Sequence, residues 1–339
     1  VRIAVVGVGA IGGIVAARLA LAGKDVTVFA RGENHAAIAR GGLAITQMDG
    51  RREVARVHAS ERFEDAKGFD VVIVAVKSHQ LPAVGSGVAA ICNDDTAVVP
   101  MQNGLPFWYF HEHGGALAGS TVESVDPGGK CLGAIPARRV LGVVTFMAGE
   151  RPGPGEVKHT GGEGLRLGEL DGRSTQRLES VATELRNAGF KCPALEDIRN
   201  EVWLKLWGNA VFNPISALTH STLADICNDP DARKLVTQGM MEISAVAAKL
   251  GVTFPMTIEN RIDVAGRIGH HKTSMLQDVE AGNALEIDAL TGAVVELGAK
   301  VGVPTPALEA LYRAVKLLDR TVRSGNLSVR AERRGGLPG

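Results

Sequence analysis

Cysteine is sparse and unpatterned: Cys92, Cys131, Cys192 and Cys227 stand far apart, with no CxxC and no Cys/His spacing. That excludes a zinc ribbon or a dithiol redox motif. The expectation is reduced core thiols in a cytoplasmic protein, with no metal. An excess of one charge is also missing. Lys+Arg and Asp+Glu both number 37, so the net charge is zero, and neither nucleic acid nor an anionic membrane is favoured as a partner. No apolar run reaches the roughly 18 residues a membrane span needs, and Val1 opens directly into a strand-like run, so no span and no secretory leader are expected. Nor is there an internal repeat of the solenoid type. Aromatics are only 4% of the chain, so the core must be built from Ala, Val, Leu and Ile, as in α/β proteins.

Glycine, by contrast, is abundant at 42 residues, and the first of them form a pattern. Val1-Arg-Ile-Ala-Val-Val6 is a short β-branched run of the kind a buried parallel strand shows. Gly7-Val8-Gly9-Ala10-Ile11-Gly12 follows, then a helical pattern closed by Gly23, then the apolar run Val26–Phe29. Strand, glycine turn, helix and strand within about thirty residues make the first βαβ unit of a dinucleotide-binding fold. Gly7 permits the tight turn, Gly9 admits a pyrophosphate close to the backbone, and Gly12 lets the helix pack on the strand. Free N–H groups at the helix N-terminus favour the phosphates. At the end of the second strand, where an NAD site usually carries an acid, this chain has Arg31, and a guanidinium suits a 2′-phosphate. NADP(H) is therefore the expected cofactor. Glu33 lies close enough to pull the other way.

Phe69–Val76 and Thr96–Met101 are the next buried-strand runs, followed by Lys77 and by Gln102-Asn103-Gly104. The carboxyl ends of parallel strands face the ligand crevice, which makes Lys77 and Asn103 candidates. A surface lysine and a plain Asn-Gly turn are the bland alternatives. Val140–Phe146, Gly155–His159 and Leu165–Leu167 read as separate strands of an antiparallel extension, Thr175–Ala188 as a helix and Phe190–Cys192 as an edge strand. Near Asp197 the period turns helical. At 339 residues there is room for two domains. The expected layout is an N-terminal Rossmann-type dinucleotide-binding domain over 1–194, an all-helical substrate and dimerisation domain over 195–325, and a flexible tail over 326–339.

The chemistry concentrates in the helical half. A helix from Ile198 to Phe212 carries Lys205 and Asn209, with Asn213 at its end because Pro214 follows. The three share a face, with Asn209 about 6 Å and Asn213 about 12 Å along the axis from Lys205. Trp203, Leu204, Leu206 and Trp207 flank the lysine, and an ammonium in apolar surroundings is costly unless paired or functional. A snorkelling lysine with amide caps fits the same spacing. A second polar cluster is His271-Lys-Thr-Ser274-Met-Leu-Gln-Asp278, then Glu286-Ile-Asp288 at a helix start, where acids also serve the helix dipole.

Taken together, these pieces resemble the ketopantoate reductase (2-dehydropantoate 2-reductase) family over nearly the whole chain. The resemblance runs in order through Gly7-x-Gly9-Ala10-x-Gly12, Arg31, Val76-Lys77-Ser78, Gln102-Asn103-Gly104, Lys205-x-x-x-Asn209-x-x-x-Asn213-Pro214, Ser274-Met-Leu-Gln-Asp278 and Glu286-Ile-Asp288. It implies NADPH-dependent reduction of a 2-keto acid, with Lys205 as the general acid. Asn209, Asn213 and Ser274 would hold the substrate, together with Asn103 and Lys205. Lys77, Asn103 and Glu286 would lie along the nicotinamide ribose, with Ala148 near the nicotinamide. The chain departs from the family pattern at Asn283 and Leu285, where Arg and Thr are usual, at Leu218–Thr222, at His270-His271 and at the aromatic loop Phe107–Phe110. All four are expected on the substrate side. They keep open a different 2-keto acid as substrate, a non-catalytic NADP-binding regulator, and a decarboxylating hydroxyacid dehydrogenase. A homodimer through exposed apolar faces of the last two helices is also expected.

Overall fold

The computed structural model describes residues 1–327; the tail expected to be flexible lies, from residue 328 on, outside the described residues. β1 (Arg2–Val6), β2 (Asp25–Phe29), β5 (His58–Ser60), β6 (Phe69–Val74) and β7 (Cys92–Pro100) pair in parallel in the order β5-β2-β1-β6-β7. β1 and β6 are covered on both faces, which is why their sequences are continuous apolar runs. α1 (Ala10–Leu21) and α2 (Gly32–Gly41) follow β1 and β2, and α3 (Leu81–Ile91) joins β6 to β7. Strand order reverses between β1 and β6, and ligands of such sheets bind outside the carboxyl ends of the strands at that reversal. The turns after β1, β6 and β7 all open there.

A second sheet, in the order β4-β3-β9-β8, contains β3 (Leu43–Thr46), β4 (Arg52–Ala55), β8 (Gly142–Gly153) and β9 (Glu156–Gly168). α1 lies between the two sheets and is buried almost all round, and one apolar cluster joins it to both. Two expectations need correcting. Glu156–His159 and Leu165–Leu167 are parts of the single strand β9, with Gly155 in the turn before it, because the long hairpin with β8 absorbs the intervening glycines as register shifts. Phe190–Cys192 is not a strand. After α5 (Gln176–Asn187), it makes only an isolated bridge from Lys191 to Gly164.

The remainder of the described chain is helical: α6 (Ile198–Thr219), α7 (Leu223–Asn228), α8 (Pro230–Lys249), α9 (Ile258–Gly266), α10 (Ser274–Glu280), α11 (Ala293–Val301) and α12 (Pro306–Arg323). The short helix α4 (Lys130–Ala134) lies earlier, before β8. α6 does not end at Asn213, as expected, but runs through Pro214 for five more residues. Proline has no N–H for the carbonyl of Ala210, four residues back. Thr291 Oγ1 donates to that carbonyl at 2.8 Å instead. The donor comes from a π turn, Asp288–Gly292, which leads into α11. Glu286 therefore precedes the helix instead of sitting in its first turn.

The aromatic loop is also placed differently from expectation. Phe107, Trp108, Tyr109 and Phe110 are all buried, and the Trp203 indole N–H donates to the Tyr109 hydroxyl at 2.6 Å. The loop is thus the anchor of α6 on the first half of the chain. One apolar cluster continues from β6 and α3 through this loop into α6, α8, α11 and α12. The apolar stripe of α12 (Leu308, Leu311, Val315, Val322) faces inward, while Leu317 stands exposed.

Candidate active site

The glycine turn is built as its spacing requires. Gly7 has φ +95°, and a Cβ there would lie 2.8 Å from the Val76 backbone nitrogen. A Cβ on Gly12 would meet the Gly7 carbonyl oxygen at 2.1 Å. Gly9 differs from both: nothing lies within 4 Å of its Cβ direction. The backbone from Gly7 through Val8, Gly9, Ala10 and Ile11 to Gly12 thus presents open space beside the N-terminus of α1, which no side chain caps. That is the cradle a pyrophosphate needs. Arg31 is exposed at the end of β2, as the residue before α2.

Lys205 projects from α6 to the carboxyl end of the parallel sheet. Its ammonium donates to Asn103 Oδ1 at 2.7 Å, to the Thr145 carbonyl oxygen at 2.6 Å and to Thr145 Oγ1 at 3.1 Å. The Phe146 ring centroid is 5.7 Å away. Burial pushes the amine down to about 8, against the pull of the Glu286 carboxylate, which raises it. A lysine in this range gives up a proton far more readily than one in water. A narrow cleft opens beside it, lined by Asn103, Thr145, Lys205, Asn209 and Leu290 among others.

Asn103 reaches this place because Gly104 follows. Gly104 has φ +89°, and a Cβ there would lie 2.2 Å from the Ala289 carbonyl oxygen, which accepts from the Leu105 N–H at 2.8 Å. The turn therefore docks on the π turn of the helical half. Gln102 braces it by donating to the Val74 and Val76 carbonyls, both at 2.9 Å. Beyond β6, Lys77 pairs with Asp278 of α10 at 2.6 Å and donates to the Ala284 carbonyl at 3.1 Å. Glu286 Oε1 accepts from the Ser78 N–H at 2.8 Å. These contacts span the two halves of the chain at the mouth of the glycine turn.

The structure brings Lys205, Asn103 and Asn209 to one cleft; Glu286 acts on the Lys205 ammonium through its charge, and Lys77 is engaged by Asp278 and the Ala284 carbonyl. Asn213 is buried deeper along α6, at 4% exposure. Ser274 is exposed as the first residue of α10 and does not line the cleft with Lys205. Ala148 is half-buried on β8, paired with Gly161. Thr145, Phe146 and Gln102 were missed. Nothing in the sequence singles out two residues inside a strand, although Gln102 stood in a motif already in view. Leu218–Thr222 close α6 and cap α7 through Thr222, to which His270 is bonded, so a capping role accounts for these departures.

Residues 3–172 match the family described as ketopantoate reductase PanE/ApbA, and residues 197–319 match ketopantoate reductase PanE/ApbA C terminal. The chain is 45% identical to a 2-dehydropantoate 2-reductase of Mesorhizobium japonicum, covering 94% of this chain and 97% of that one. It is 30% identical to one from Archaeoglobus fulgidus, over 96% and 98% of the two chains. A crystal structure of a Ralstonia solanacearum protein assigned as a ketopantoate reductase superposes with a TM-score of 0.91 at 40% identity, over 95% and 98% of the two chains. With both halves matched and a relative this similar along nearly its whole length, the chain belongs to the ketopantoate reductase family of oxidoreductases.

Proposed function

We propose that the protein reduces 2-dehydropantoate to pantoate with NADPH, and that Lys205 is the general acid. The observation that carries this reading is the buried Lys205 ammonium, held by Asn103 and Thr145 at the carboxyl end of the parallel sheet. The residues fit a nicotinamide dinucleotide. The open Gly9 backbone would take its pyrophosphate and Arg31 its 2′-phosphate, while Lys77, Asn103 and Glu286 would hold the nicotinamide ribose. When bound, it supplies the hydride that attacks C2 of the keto acid. Lys205 then meets the negative charge growing on the carbonyl oxygen and gives that oxygen a proton. All three ammonium protons already have acceptors, and the longest bond, 3.1 Å to Thr145 Oγ1, is the one a substrate oxygen displaces most easily. Asn209, which lines the cleft beside Lys205, orients the hydroxyl and carboxylate, whereas the substrate roles of Asn213 and Ser274 rest on the family resemblance alone, since neither lines that cleft.

The test is loss of NADPH absorbance against ketopantoate and a panel of other 2-keto acids. Lys205→Ala should cut kcat by about 10²–10⁴ and leave NADPH affinity within about threefold. A kcat retained within a few-fold would remove the lysine from the acid role. Nucleotide binding without turnover on any keto acid would identify a regulator, and CO₂ release during oxidation of a 3-hydroxy acid with NADP⁺ would identify a decarboxylating dehydrogenase.

A second reading, the same chemistry on another 2-keto acid, is favoured by two positions. Asn283 donates its amide to Asp278 at 3.2 Å, and Leu285 is buried. Neither offers the substrate donors that Arg and Thr would. A higher kcat/KM for another panel member than for ketopantoate would establish it.

A further inference from the structure

The end of β2 carries a base and an acid over the same helix N-terminus. Arg31 precedes α2, its own side chain caps nothing, and among the described residues no carboxylate lies within ion-pair distance of it. The first N–H of α2, that of Gly32, is already taken: Glu61 Oε1 accepts from it at 2.7 Å. His35, one turn into α2, places Nδ1 3.7 Å from the same oxygen. Glu61 arrives from another direction in the fold. It directly follows β5, the edge strand that pairs with β2, so only the sheet brings it beside Arg31. Its side chain is 47% exposed, so the charge is directed at solvent and not buried under the helix.

A dinucleotide held by the Gly7–Gly12 turn extends its adenosine ribose to the end of the second strand. There a carboxylate accepts hydrogen bonds from free ribose hydroxyls, whereas a 2′-phosphate needs cations and unoccupied N–H groups. Arg31 serves the phosphate. Glu61 serves the hydroxyl, occupies the N–H a phosphate oxygen would take, and repels the phosphate charge. We propose that Glu61 is a specificity-determining residue, and that discrimination between the phosphorylated and unphosphorylated cofactor is set by Arg31 against Glu61, not by Arg31 alone. This rests on the reading of the glycine turn as a nicotinamide dinucleotide site.

The test uses the full chain and two fragments that differ only in the group in question, adenosine 2′,5′-bisphosphate and 5′-AMP. Each is titrated calorimetrically into the wild-type protein and Glu61→Gln at fixed ionic strength. Gln keeps an acceptor for the Gly32 N–H, so α2 stays capped, and an unchanged Tm verifies that. The expected result is binding of the bisphosphate about fivefold tighter in Glu61→Gln, with 5′-AMP unchanged or weaker. Equal changes in both fragments, or weaker binding of the bisphosphate, would assign Glu61 to capping alone and overturn the inference while leaving the dinucleotide site intact. Failure of the wild-type protein to bind either fragment, NADPH or NADH would overturn the dinucleotide reading and this inference with it.

Discussion

Lys205 shows how a single side chain is tuned by its surroundings. Desolvation drives its pKa down to about 8, and the Glu286 carboxylate limits the fall. An acid must hold its proton at the start of the step, so activity requires the charged form. That form is complete below the folded pKa and is lost as pH rises through it. The expected profile is a kcat/KM for keto acid reduction that is level below about 8 and falls tenfold per pH unit above it. Glu286→Gln removes the opposing charge and should move that limb to lower pH, with kcat/KM measured across the same range. A limb that moves up, or a rate that increases with pH, would contradict the assignment. The sequence made the lysine visible through its apolar neighbours Trp203, Leu206 and Trp207. It could not show that Asn103 and Thr145 supply the acceptors, because those residues lie 102 and 60 positions away.

At the scale of elements, α6 runs through a residue that ought to end it. Local rules stop a helix before Pro214, and they fail here because the missing N–H is replaced from a distant segment. Thr291→Val should leave the buried Ala210 carbonyl without a donor and cost about 1–3 kcal/mol. The cost should shrink in a Pro214→Ala background, where the helix provides its own N–H. Denaturant midpoints of the two single variants and the double variant measure this; additive losses would mean that Thr291 does not serve the proline. Other elements are tied by carboxylates in the same way. Glu242 of α8 accepts from the Ala307 and Leu308 N–H groups at the start of α12, both at 3.0 Å. Asp126 accepts from Cys131 and Leu132 at 2.7 Å and 3.1 Å. Spacing of three or four residues reveals a cap within one segment, but not one reached across 65 residues.

At the scale of the whole molecule, two architectures share one interior. The apolar cluster that begins under β6 passes through Trp108 and Tyr109 into α6 and the helices around it. The ties at the cleft mouth, Lys77 to Asp278 and Ser78 to Glu286, lie on the same boundary. Burial of this kind couples the halves, because neither can open without exposing apolar surface of the other. Calorimetry should therefore show one cooperative transition, and Trp203→Ala should lower it as a unit. Two resolved transitions, only one of them sensitive to Trp203, would show that the halves fold independently.

Much of this was set by short-range pattern. The continuous apolar strands, the Gly7–Gly12 turn with its following helix, and the Lys205-Asn209 row each follow from spacing a few residues long. A buried parallel strand, a phosphate turn and one face of a helix are local consequences of local sequence. What only the tertiary structure decided is which distant groups meet. Chain topology brought Glu61 beside Gly32, Thr291 to the carbonyl that Pro214 abandons, Thr145 to the lysine, and the aromatic loop into the seam in place of the substrate side. The physical reason is the same in each case: a buried or charged polar group must find a partner, and no periodicity along the chain records a partner that arrives from another element.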